Sequence, residues 1–232
     1  MYFLFDIDGT LLLSGGAGRH AMTQVMNEMY QLTELARLEV HGRTDRGIIG
    51  DLFAKHDIPL TEDVRKQFSE RYHQLLPESL KACDGQMMPG VVPLLDWLTG
   101  LPNVHVGLLT GNSKVAAWAK LKHFGLDGYF QDFGGFGDDH AARDDVAGQA
   151  LASIRTSFED DSIPGSDAWI VGDTIHDITC ARSINANVIA VETGGVDPEE
   201  LSRYRPDRLL VDLTDISGFA EATSLDCVNN RP

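Results

Sequence analysis

Short apolar runs alternate along the chain with stretches whose apolar residues recur at helical spacing. YFLF (2–5), VHVGLLT (104–110), AWIVGD (168–173), NVIAVE (187–192) and RLLV (208–211) read as strands. Between and around them the pattern predicts helices at roughly 90–100, 113–124, 143–156, 176–185 and 198–203. Strand and helix in alternation predict an α/β protein, a parallel sheet with helices on its faces. Strands that are apolar throughout fit burial on both faces of that sheet.

The stretch 14–84 breaks the rhythm. No strand pattern is evident there, and RHAMTQVMNEMYQL (19–32), DRGIIGDLFAKH (45–56) and TEDVRKQFSERYHQLLPESL (61–80) all show helical spacing. Thr61 is placed to cap the third of these helices. An all-helical unit spanning 14–84 is therefore expected to interrupt a core made of 1–13 and 85–232, with Gly15-Gly16 and Gly85 as hinges. Met22, Met26 and Met29 repeat at helical spacing and read as the core of the helical unit. Trp97, Trp118 and Trp169 are expected to pack between helices and sheet, and Glu159-Asp160-Asp161 to form a solvated loop. The polar tail DCVNNRP (226–232) is expected to fray.

Composition narrows the partners. A chain of 232 residues, 43% hydrophobic and 23% charged, is long enough for a sizeable core. Its formal net charge of -16 disfavours nucleic acid and anionic membranes, and leaves room for a small anionic substrate in a locally cationic or metal-bearing pocket. The N-terminal MYFLF lacks the basic start of a signal peptide, and no apolar run is long enough to span a bilayer. Cys83, Cys180 and Cys227 form no C-x-x-C pair and suit a reducing compartment, so a cytoplasmic location is expected.

Three strands end in polar clusters. The first runs into Asp6-Ile7-Asp8-Gly9-Thr10, the second into Thr110-Gly111-Asn112, and a later one into Gly172-Asp173-Thr174 with Asp177 beyond. In an open parallel sheet the carboxyl ends of the strands share one edge, so residues from distant stretches meet in one crevice. Asp6, Asp8 and Asp173 would form a hard, oxygen-rich site suited to Mg²⁺. The ordered set D-x-D-G-T, T-G-N and G-D-T-x-x-D, each after an apolar strand, resembles the haloacid dehalogenase-like hydrolases over nearly the whole chain. The helical unit after the first motif resembles the cap of the phosphoglycolate phosphatase-like branch.

That resemblance implies a Rossmann-like core with an inserted helical cap, and a Mg²⁺-dependent phosphatase acting on a small phosphorylated metabolite. It implies Asp6 as nucleophile and Asp8 as general acid, then general base. The metal would be held by the backbone carbonyl of Asp8 and the carboxylates of Asp6 and Asp173, with Thr10 and Asp177 supporting them. Thr110, Gly111 and Asn112 would bind the phosphoryl oxygens. The family also places a lysine or arginine between the second and last motifs, yet no lysine follows Lys122. Lys114, Lys120 and Lys122 sit early, on the helix directly after T-G-N, which leaves Arg143 or Arg155. Arg143 is favoured, because it stands at a helix start near the sheet edge and its fork suits a phosphate. Asp8 must carry a proton when the leaving group departs, so its pKa is expected to be raised.

Other readings fit less well. Counted from Asp6, an EF-hand would need glycine at position six and glutamate at position twelve, and the chain has neither. Gly16-Ala17-Gly18-Arg19-His20-Ala21 matches a loose dinucleotide pattern, but does not follow the first strand directly. Arg19 and Arg43, the latter in His41-Gly42-Arg43-Thr44-Asp45, are candidate substrate contacts, while Thr44 or Asp45 can cap the next helix. Asp8 argues against a haloacid dehalogenase, which has no leaving-group oxygen to protonate. It also argues against a phosphonatase using Lys55, Lys66 or Lys81 as a Schiff base. A phosphosugar mutase keeps both aspartates and is the enzymatic alternative; a non-catalytic binding module would not require them. The identity of the substrate and the oligomeric state stay open at this level.

Overall fold

Side chains on successive strand residues point to opposite faces, and that alternation builds the layers. The computed structural model describes residues 1–38 and 40–225; the expected frayed tail and Cys227 lie outside the described residues. In chain order the elements are β1 (Tyr2–Phe5), β2 (Leu12–Leu13), α1 (Ala17–Tyr30), α2 (Asp45–Lys55), α3 (Glu62–Ala82), β3 (Gln86–Met87), α4 (Val91–Thr99) and β4 (His105–Leu109). They continue with α5 (Lys114–His123), β5 (Gly134–Gly135), α6 (Arg143–Ser157), β6 (Ala168–Gly172), α7 (Ile175–Ser183), β7 (Asn187–Val191), α8 (Pro198–Arg203), β8 (Arg208–Leu210) and α9 (Ile216–Thr223).

Six of the strands form one parallel sheet in the order β5-β4-β1-β6-β7-β8. Phe3 and Phe5 enter a core shared with α4, α5 and α9, while Leu4 between them enters the core shared with α6 and α7. Val106 and Leu108 of β4 and Trp169 and Val171 of β6 join the first core; Leu109 and Ile170 join the second. Trp97 and Trp118 pack against the first core. Glu159, Asp160 and Asp161 are exposed.

Helices α1, α2 and α3 bury a third core around Met22, Met26, Phe53, Phe68 and Leu76, to which Ala116 of α5 also belongs. Met29 is only partly buried against it. Thr61 caps α3 by accepting the Val64 N–H at 3.3 Å, and Thr44 caps α2 by accepting the Gly47 N–H at 3.1 Å. The two chain crossings flanking the helices pair with each other, Leu12–Leu13 antiparallel to Gln86–Met87. Gly15 and Gly16 have positive φ, a conformation that L side chains rarely adopt.

Phe5 is fully buried and meets Phe130 edge-on at 6.2 Å between ring centroids. Phe5→Ala is expected to lower unfolding stability by roughly 3–5 kcal/mol in urea denaturation. A loss under about 1 kcal/mol would mean that the core closes over the gap.

Candidate active site

The carboxyl edge of the sheet gathers the acidic residues because each follows directly on a central strand. Asp6 follows β1 and donates its backbone N–H to the Val171 carbonyl at 2.9 Å. Thr110, Gly111 and Asn112 follow β4, and Asp173 follows β6. Thr10 is fully buried and gives its hydroxyl to Asp173 Oδ1 at 2.8 Å. Gly9 and Gly194 close over Asp173: a Cβ on either would overlap its carboxylate.

Asp6, Asp173 and Asp177 are all buried, and each offers one oxygen within 4.8 Å of the others. Arg143, at the first turn of α6, sits among them. Its Nη2 lies 3.0 Å from Asp6 and 2.5 Å from Asp177, and donates to the Leu109 carbonyl at 3.2 Å. Its Nε is buried without a partner among the described residues. Asp177 is further fixed by a capping box: its Oδ2 accepts from the Thr174 N–H and hydroxyl at the start of α7. Three carboxylates face one guanidinium, so their full ionisation would leave two negative charges uncompensated in a buried space. Burial is the main force raising the pKa of both Asp6 and Asp173, with the neighbouring carboxylates adding to it; for Asp6, Arg143 opposes the rise. This donor set, hard oxygens with excess negative charge, fits a divalent cation such as Mg²⁺.

Asp8 has different surroundings. Its carboxylate turns away from the cluster and accepts from Lys120 Nζ at 2.5 Å, Asn112 Nδ2 at 2.8 Å and the Ser14 hydroxyl at 3.3 Å. Lys120 also donates to Asn112 Oδ1 at 2.7 Å, and Asn112 Nδ2 to Thr110 Oγ1 at 2.8 Å. Two sequence expectations change here. Lys120, set aside as too early in the chain, reaches the site from the second turn of α5. The signal for it lies in the helix pattern: the buried residues of α5 are Ala116, Ala117, Lys120 and Leu121, so the lysine stands on the apolar face and must find a partner there. Nor is Asp8 raised. Burial pushes its carboxyl up, but the charge of Lys120 and the hydrogen bonds from Lys120, Asn112 and Ser14 outweigh it, and the net direction is down.

A cavity of about 400 Å³ opens over these residues, with α1, Leu35, Leu38, residues 40–43 and Tyr72 across it. Arg19 and Arg43 line it; Arg19 donates to the Leu35 carbonyl at 3.0 Å and Arg43 pairs with Asp51 at 2.8 Å. Arg155, the other candidate, gives its Nε to the Ile163 carbonyl and does not line the cavity. Lys55, Lys66 and Lys81 do not line it either. The helical unit clasps the core beside it. Asp45 donates its N–H to the Gly111 carbonyl at 2.7 Å, Arg46 to Gly137 at 3.2 Å, and the Thr44 hydroxyl to Ala141 at 3.1 Å. The Asp45 carboxylate accepts the Ser113 N–H at 2.8 Å, at the cap of α5.

The architecture, a parallel α/β sheet with acidic residues on its carboxyl edge and helices inserted after the first strand, defines the class. The family model of the haloacid dehalogenase-like hydrolases matches residues 1–185. The chain belongs to that family. A search of curated proteins finds no match. Among solved structures, CbbY from Rhodobacter sphaeroides in complex with phosphate superposes with a TM-score of 0.70 at 17% identity, covering 94% of this chain and 97% of that one. A predicted phosphoglycolate phosphatase from Haemophilus somnus 129pt gives 0.67 at 18%, covering 94% and 97%. A hydrolase from Pseudomonas syringae gives 0.66 at 23%, covering 95% and 98%. At these identities the likeness is one of fold. No helix among the described residues is long and apolar enough to cross a membrane.

Burial raises the Asp45 carboxyl from its ordinary 3.8 to about 6, against the Ser113 N–H and Lys120, which lower it. An acid whose folded pKa is raised favours folding while protonated, and this contribution is lost as pH rises through about 6. Between pH 4 and 7 the wild type should therefore lose up to about 3 kcal/mol of stability relative to Asp45→Asn. Parallel urea-stability curves for the two proteins across that range would remove Asp45 from this role.

Proposed function

We propose that the chain is a Mg²⁺-dependent phosphatase that hydrolyses a small phosphomonoester through an aspartyl-phosphate, with the helical unit 14–84 as a cap over the core 1–13 and 85–232. The observation that carries this reading is the division between two neighbouring aspartates. Asp6 belongs to the acidic cluster with Arg143; Asp8 belongs to a hydrogen-bonded group with Lys120 and Asn112. Two carboxylates in different surroundings suit two roles, nucleophile and proton carrier.

In the first step an oxygen of Asp6 attacks phosphorus, the bond to the leaving-group oxygen breaks, and Asp8 gives that oxygen a proton. In the second, water attacks phosphorus, Asp8 takes its proton, and phosphate leaves with Asp6 restored. Repulsion opposes the approach of a carboxylate to a phosphate dianion. Two unit charges at ~4 Å cost roughly 4 kcal/mol at an effective dielectric of ~20, about three powers of ten in rate. Asp6, Asp173 and the Asp8 carbonyl, with Asp177 and Thr10 behind them, would hold Mg²⁺, which would supply the charge neutralisation that reverses this term. Arg143 steadies Asp6. Thr110, Gly111, Asn112 and Lys120 take the phosphoryl oxygens, and the arriving dianion draws Lys120 from Asp8, which lifts the carboxyl's affinity for a proton.

Arg19, and Arg43 within its pair with Asp51, line the cavity and soften the field of a protein whose net charge of -16 otherwise repels an anion. Complexes of CbbY with phosphate and with xylulose-(1,5)bisphosphate are in keeping with phosphate chemistry on this fold. Free Cys83 and Cys180 are in keeping with a cytoplasmic enzyme.

Phosphate release from acetyl phosphate or an aryl phosphate should require Mg²⁺, stop with EDTA, and fall by roughly a thousandfold or more in Asp6→Asn, whose neutral amide is a poor nucleophile. Full activity in that variant would remove Asp6 from the reaction. Isomerisation of phosphosugars without net release would point to a mutase instead. Arg143→Ala should lower kcat/KM by roughly a hundredfold and Arg155→Ala by less than about threefold; the reverse order would move the cation to Arg155. In Lys120→Met the Asp8 carboxyl loses its stabilising charge and its pKa rises. The pH above which kcat falls should therefore move upward, and an unmoved profile would separate Lys120 from Asp8.

A further inference from the structure

We infer that the substrate's leaving group is a largely apolar body carrying an isolated polar atom, rather than a polyol or a second phosphate, and that the Tyr72 hydroxyl meets that atom. The inference rests on the phosphatase reading above and names the class of ester that this site takes.

The cavity is divided in character. Its floor holds the aspartates, Lys120 and Arg143, but the wall above is made by Met22, Leu35, Leu38, Val40 and Ile48. Gly15, Gly16 and Gly18 present bare backbone on another side, and a side chain at Gly16 would meet nothing within 4 Å. A polyol needs a partner for nearly every hydroxyl, because a polar group taken from water without one is costly. Three charged groups of the wall are engaged already, while His41 also lines the cavity. Arg43 faces Asp51, Asp45 holds the Ser113 N–H, and Arg19 gives Nη2 to the Leu35 carbonyl. A second phosphate finds Arg43 neutralised and Arg19 exposed to competing water.

Tyr72 is the exception. Only 1% of the residue is exposed, it lines the cavity, and its hydroxyl has no hydrogen-bond partner among the described residues. A Cβ at residue 18 would lie 3.5 Å from that hydroxyl, so Gly18 leaves the space before it uncrowded. The ring is buried while the residue lines the cavity, so its hydroxyl is open to a partner there, water in the empty site and a ligand atom in the filled one. A volume of about 400 Å³ suits a leaving group of ring size.

The test compares kcat/KM of the full chain with Mg²⁺ for acetyl phosphate, glycerol 3-phosphate, glucose 6-phosphate, phosphoglycolate and a series of phenylalkyl phosphates. The same assay includes phenoxyalkyl phosphates in which an ether oxygen replaces each methylene in turn. Phenylalkyl esters should exceed the polyol esters and phosphoglycolate by roughly tenfold or more. One ether should exceed its all-carbon isostere by roughly fivefold, and Tyr72→Phe should abolish that preference. Leu38→Asn should narrow the gap between phenylalkyl and polyol esters. Equal or better turnover of polyol esters or phosphoglycolate overturns the apolar assignment while the phosphatase reading stands. An absent ether preference, or one that persists in Tyr72→Phe, overturns the role of Tyr72. No release from any compound, acetyl phosphate included, overturns the phosphatase reading and this inference with it.

Discussion

The site depends on one guanidinium. Arg143 stands at the start of α6 and touches Asp6 at the end of β1, the Leu109 carbonyl at the end of β4, and Asp177 in the cap of α7. Without that cation, three carboxylates could not stay ionised within 4.8 Å of one another in a buried space. With it, the cluster keeps its geometry and still carries more negative charge than the protein compensates. A site left in that state favours a cation, and the raised carboxyls of Asp6 and Asp173 express the same imbalance. Arg143 is thus both a structural brace across four elements and the reason the donor set remains a donor set.

The second cation does separate work. Lys120 neutralises Asp8 and fixes the Asn112 amide through its oxygen, which aims the amide nitrogen at Asp8 and Thr110. Neighbouring aspartates on one short loop would otherwise face the same field. At Asp6 burial and the neighbouring carboxylates win over Arg143, whereas at Asp8 Lys120 with the Asn112 and Ser14 hydrogen bonds wins over burial, so the two proton affinities move in opposite directions.

Much of this was legible in the chain. Apolar strands ended by Asp6, Thr110 and Asp173 are visible as text, and parallel-sheet geometry brings such ends together. Helices whose apolar stripes are long, such as α1, α3 and α6, lie within a few residues of their periodic patterns. What escaped was short or set by tertiary contact. Gly134–Gly135 has little strand propensity, yet pairs with β4 as an edge strand, and α6 crosses so closely that a Cβ at Gly135 would overlap the Val146 carbonyl. Pairs of two residues, Leu12–Leu13 and Gln86–Met87, carry no period of their own. The α9 segment ISGFAEAT is too short to carry a clear helical period, although its Phe219 is buried against Phe3. Lys120 is hidden by chain order, which puts it ahead of the place where a cation is expected, although it stands on a buried helix face.

The same helix explains how selection and chemistry can be joined. Ser113 caps α5 and gives its N–H to Asp45 of the helical unit; two turns later α5 delivers Lys120 to Asp8. Gly111 admits the link from the other side, since any Cβ there would strike the Arg43 carbonyl. Gly42, with its positive φ, lies against Thr174 and His176 at the start of α7, the helix that Asp177 caps. The segment 42–45 therefore rests on the starts of the two helices that hold the charged groups of the site. A substrate body that changed the seating of that segment would act on Lys120 and Asp177 through rigid helices rather than through a flexible chain. The apolar wall, Asp8 and Asp177 are thus joined through the starts of α5 and α7 by one short segment.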